Sequence, residues 1–96
     1  VTLRELVESK REDIIALAAR HQATNVRLFG SVARGDESAA SDIDLLVAFQ
    51  PGCGLMNRLR LMVQLEDLLG RRVDVVSDQL LDPLVEAQVE KEAIAL

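Results

Sequence analysis

Residues 41–47 read SDIDLLV, two carboxylates one residue apart at the mouth of an apolar run. In an extended chain, residues i and i+2 point to the same face. Asp42 and Asp44 would then project together while Ile43 and Leu45 turn to the other side. On a helix the same spacing splays two acids apart. Left unpaired, two carboxylates about 6 Å apart repel by roughly 3 kcal/mol at an effective dielectric of ~20. A divalent cation turns that repulsion into a site, and Mg²⁺ takes one or two carboxylates together with waters and substrate phosphates. A plainer reading is open as well: Asp42 caps the strand entry and Asp44 lies on a solvated face.

Two further features lie within reach of this pair. Gly30-Ser31 falls at a strand-to-helix turn upstream, where a glycine lets a phosphate approach the backbone and helix N–H groups can hold it. Asp74 stands between Val73 and Val75 in RRVDVVS; on a strand beside the Asp42–Asp44 segment it would face the same site. An acid among valines is costly without a partner. Alone, Asp74 also reads as an ordinary exposed-face residue.

These residues need elements to position them. Thr2-Leu3-Arg4-Glu5 has the form of a capping box, with Val1 and Leu6 spaced as a hydrophobic staple. Leu3, Leu6, Val7, Ile14, Leu17 and Ala18 then recur on one face, interrupted at Lys10, which predicts a helix ending near residues 20–22. Residues 26–29 read as a strand closed by Gly30, followed by a short helix from Ser31 to Gly35. A second strand spans 43–49 and a long helix 55–69, with Gly70 at its left-handed C-terminal position. RRVDVVS supplies the third strand. Asp82-Pro83 opens a last helix, with Leu84, Val85, Val89, Ala93 and Leu96 spaced to pack on one side.

That order predicts one α/β domain over 1–96, a small mixed sheet of three strands with room for a fourth, flanked by helices. The second and third strands, joined by a helix, should run parallel. The first two, joined by a short glycine-rich link, should be antiparallel, bringing Gly30-Ser31 back beside Asp42.

Composition narrows the chemistry. The 96 residues carry a net charge of -5 and only two aromatic residues, both Phe. A general nucleic-acid binder needs a basic face and a single-strand binder needs stacking platforms, so direct nucleic-acid binding is not expected. No apolar run suits a membrane span and nothing at the N-terminus reads as a signal peptide. The single cysteine, Cys53, cannot form an internal disulfide, which points to a reducing, cytoplasmic setting. His21 reads as a helix C-terminal cap, Met56 and Met62 as core, and Glu86, Glu90, Lys91 and Glu92 as a solvated helix face.

The stretch GSVARGDESAASDIDLLV resembles the G-S-x-A-R-G…S-D-I-D-L signature of minimal nucleotidyltransferases in the DNA polymerase beta superfamily. The likeness extends through the RRVDVVS strand and the DPLVEAQVEKEAIAL tail. It implies a nucleotidyltransferase fold and Mg²⁺-dependent transfer of a nucleotidyl group, with two ions engaged during catalysis and ATP as substrate. By position it implies Gly30 and Ser31 at the triphosphate and Asp42 and Asp44 at metal. Asp74 would be the third acid, at the metal or accepting the proton of an attacking hydroxyl. Arg34 is a candidate phosphate contact, with an arginine that merely solvates the loop as the other reading.

Larger superfamily members carry a second domain for their acceptor, and this chain is nearly all core. Minimal members resemble the antitoxin half of two-gene modules whose partner is a HEPN-domain ribonuclease toxin. The resemblance thus implies AMP transfer to a toxin hydroxyl, a tyrosine by expectation. The alternatives are a non-catalytic antitoxin that acts by occlusion, or an enzyme acting on a small molecule or tRNA. The chain has no tyrosine, so a tyrosyl acceptor must belong to another protein.

Overall fold

In the computed structural model, which describes residues 2–35, 42–80 and 82–96, Thr2 opens helix α1 (Leu3–Ser9). Its hydroxyl accepts from the Glu5 N–H at 3.0 Å, and the Glu5 carboxylate reaches back to the Thr2 N–H. The staple partner Val1 lies outside the described residues. The expected single N-terminal helix is two: the chain kinks at Lys10 (φ −107, ψ 15) and continues as α2 (Arg11–Arg20). The bend lets Leu3 and Val7 of α1, and Ile14 and Ala18 of α2, all reach the core.

Strand β1 (Ala23–Phe29) begins three residues earlier than the sequence predicts, because a register shift between Thr24 and Arg27 absorbs Asn25 at φ +52. It runs into the short helix α3 (Gly30–Arg34). Beyond the undescribed stretch 36–41, which includes Ser41 of the motif, come β2 (Ile43–Phe49), α4 (Leu55–Leu69) and β3 (Val73–Ser77). A single 3-10 turn (Asp78–Leu80) precedes α5 (Pro83–Glu92) and β4 (Ile94–Ala95).

The sheet has four strands in the order β3-β2-β1-β4. β1 and β2 pair antiparallel and β2 and β3 parallel, as the link lengths predict. Ile43, Leu45 and Val47 enter the core with Val73 and Val75, met by Leu61, Leu65 and Leu69 of α4. Each such burial contributes about 1.5–3 kcal/mol, and the alternation fixes which face is left for polar residues.

Three expectations are corrected. The last helix stops at Glu92, because the free edge of β1 recruits Ile94 and Ala95 opposite Leu28 and Arg27. That helix buries no side chain; Leu84 and Val85 are exposed, so its apolar positions do not form the packed face that spacing suggests. Met62 packs against the core, but Met56, the second residue of α4, is exposed. His21 does cap α2, and its ring is held by Gln64 Oε1 at 2.9 Å, tying α2 to α4.

Candidate active site

The site forms where β1 ends and β2 and β3 begin. β2 and β3 set Asp44 directly opposite Asp74, and β1 sets Phe29 opposite Asp44. Asp42 immediately precedes β2 and shares the parity of Asp44. Burial agrees with that parity: Ile43, Leu45, Val73 and Val75 are buried, Asp44 and Asp74 half-buried, and Asp42 exposed.

Gly30 explains the turn out of β1. Phe29 is extended and Gly30 adopts φ +75, a conformation costly for residues bearing a Cβ. A Cβ placed there would fall against Asp44 Oδ2, with Asp44 Cγ at 3.2 Å. Glycine therefore permits both the turn and the seating of the carboxylate against the backbone. The buried Val32 and Ala33 anchor α3 in the core, leaving Ser31 half-buried and Arg34 exposed. The sequence placed this turn beside Asp42; the contact is with Asp44.

Burial pushes the Asp44 carboxyl above its ordinary value, the charges of Asp74 and then Asp42 push it further, and Arg34 opposes them. The charges of Asp74 and Asp42 thus both reach Asp44 at this end of the sheet. Among the described residues, no group of three or more His, Cys, Asp or Glu side chains is placed to hold a metal ion by itself. Mg²⁺ needs only one or two carboxylates beside water and substrate phosphate, and Asp42 and Asp44 are the residues here that could supply them. Arg34 also pairs with Glu92 at 3.2 Å, so Glu92 is not the purely solvated residue expected of its helix face.

The Asp44 shift has a consequence for stability. Between the ordinary carboxylate value of about 4 and the raised folded value, the native state holds more protons than the unfolded state. Stability therefore falls as pH rises through that window, and the penalty is complete above it. Without divalent metal, Asp44→Asn is expected to be more stable than the parent at neutral pH, with the advantage closing at pH below the carboxylate range. Denaturant titrations of both proteins in chelator, at the two pH values, measure this. A less stable variant at neutral pH would mean that the ionised carboxylate is held favourably.

Sequence reasoning missed Arg58, at the end of the first turn of α4. Its Nη2 lies 3.6 Å from Asp74 Oδ1, and its Nε donates to the Val75 carbonyl. It missed Arg27 too, which pairs with Asp78 at 2.9 Å and is the register partner of the fully buried Leu46.

Residues 12–96 match the family described as Polymerase beta, Nucleotidyltransferase. A Methanocaldococcus jannaschii protein, named among the protein adenylyltransferases, is 38% identical over 91% of this chain and 92% of its own length. Protein adenylyltransferase MntA of Thermococcus cleftensis is 32% identical over 98% and 95% of the two chains. A solved structure classed as a minimal nucleotidyltransferase superposes with a TM-score of 0.89 at 50% identity, covering 100% of this chain and 97% of that one. Two toxin–antitoxin crystal structures, one with AMP-PNP and one of an MntA–HepT pair, superpose with TM-scores of 0.75 and 0.74 at 26% identity. They cover 88% and 90% of this chain, and 69% and 70% of theirs.

Proposed function

The chain belongs to the polymerase beta nucleotidyltransferase family, and from that premise we propose that it is an antitoxin that transfers AMP from ATP to a partner toxin. The acceptor in this reading is a hydroxyl, a tyrosine's, on a HEPN-type ribonuclease. The observation that carries it is Gly30 backed against the Asp44 carboxylate, with Asp74 in register beside it. A binder alone has no use for a carboxylate raised by its burial and by the charges of two further acids beside it.

Asp42 and Asp44, with Asp74, would hold Mg²⁺, which supplies charge neutralisation on the phosphates when bound. The chain's own residues do the rest. Gly30 and Ser31 offer the triphosphate an approach to the backbone, and Arg34 supplies positive charge at the same end. Asp74 takes the proton of the acceptor hydroxyl as its oxygen bonds to the α-phosphorus. The bond from that phosphorus to pyrophosphate breaks, and catalysis is mainly positioning.

A protein acceptor also fits the surface. α4 leaves Leu55 64%, Met56 57% and Val63 58% exposed, enough apolar area for part of a protein contact. The net charge of -5 suits a partner with a basic face, as a protein that holds RNA phosphates must have. Among the described residues no helix is long and apolar enough to cross a membrane.

The test uses ATP labelled at the α-phosphate, the purified chain, its genomic neighbour and Mg²⁺. The label is expected on the neighbour, and chelator should abolish it. Neutralisation of the neighbour with no label in either condition would favour occlusion. Label on RNA or a small molecule instead would reassign the acceptor.

A further inference from the structure

We infer that Arg58 is a positioning residue that acts through Asp74, an inference that rests on the nucleotidyl-transfer reading above. β3 is the outermost strand, so the polar groups on its outer side have no strand to pair with. Side chains of α4 reach two of them instead. Glu66 Oε2 accepts from the Val73 N–H at 3.3 Å, and Arg58 Nε donates to the Val75 carbonyl. Val73 and Val75 flank Asp74, so this helix grips the backbone on both sides of the acid.

Arg58 then does something Glu66 does not. With Nε fixed on the Val75 carbonyl, its Nη2 is carried to 3.6 Å from Asp74 Oδ1. That separation is an ion pair rather than a hydrogen bond, and Asp74 remains about half exposed. Asp74 stands beside Asp44, whose negative charge would otherwise drive its carboxylate toward solvent. The planar fork of an arginine can hold a carbonyl and a carboxylate at once; a lysine ammonium on a flexible stem cannot fix both. An acid that must accept a proton from an arriving hydroxyl gains from being held before the hydroxyl comes.

A double-mutant cycle of Arg58→Lys and Asp74→Asn tests this. With Asp74 present, Arg58→Lys is expected to lower kcat for AMP transfer about ten- to a hundredfold, leaving the KM for ATP within about twofold. With Asn at 74 the same change should cause no further loss. A readout independent of activity comes from denaturant titrations in chelator. There Arg58→Lys should destabilise the parent but not the Asp74→Asn variant.

Parent-like kcat in Arg58→Lys would overturn the inference, as would losses that multiply across the cycle or additive metal-free stabilities. If the parent transfers AMP and only the cycle fails, Arg58 alone is misassigned. If the parent transfers nothing, the transfer reading fails and the role of Arg58 falls with it.

Discussion

Replacing Asp42 and Asp44 together with alanine is expected to lower AMP transfer by at least about a thousandfold while leaving the fold in place. A thousandfold corresponds to roughly 4 kcal/mol of transition-state stabilisation, within what a metal's charge supplies to phosphoryl transfer. The fold should survive for reasons visible in the site. Asp42 is exposed, and the ionised Asp44 is disfavoured by burial and by two neighbouring acids. Single-turnover rates with the partner protein, beside thermal melts of both proteins in chelator, separate the two effects. Retention of more than a few per cent of the rate would mean that these acids are not the metal site. A large fall in melting temperature would mean that they hold the fold.

Gly30→Ala should have the next largest effect, and it acts twice. At φ +75 a Cβ costs about 1–2 kcal/mol, and the added methyl would also press on the Asp44 carboxylate. A displacement of about 1 Å at a reacting centre can lower the rate about a hundredfold, so a loss of that order is expected. Gly70→Ala is the control, because Gly70 adopts φ +66 at the end of α4 with nothing within 4 Å of the added carbon. It should share the stability cost and keep the rate. Equal rate losses in both variants would trace the Gly30 effect to backbone strain alone.

What could be read from the chain beforehand follows from how local each signal is. The common face of Asp42 and Asp44 needs only the two-residue period of a strand. The pairing directions need only link lengths, and the alignment of Asp74 with Asp44 follows from a parallel neighbour. The contact of Gly30 with Asp44, rather than Asp42, depends on the register of β1 against β2, which a bulge near Asn25 shifts.

Other features depend on partners far along the chain. Ile94 and Ala95 sit in a run compatible with a helix, and only the open edge of β1 draws them into a strand. Arg58 reads as one more charge on an amphipathic helix until α4 is laid along the outer edge of β3. Met56 occupies an apolar helical position, yet the fold leaves it exposed beside Leu55 at the start of α4.

The central claim is that these acids adenylylate a partner protein, and the intact mass of that partner tests it most directly. Co-expressed with the parent chain, the genomic neighbour should gain the mass of AMP, on a tyrosine by peptide mapping. Co-expressed with the Asp42→Ala/Asp44→Ala variant, it should carry no addition. An unmodified partner in the presence of the parent, or the same added mass with the variant, would contradict the account.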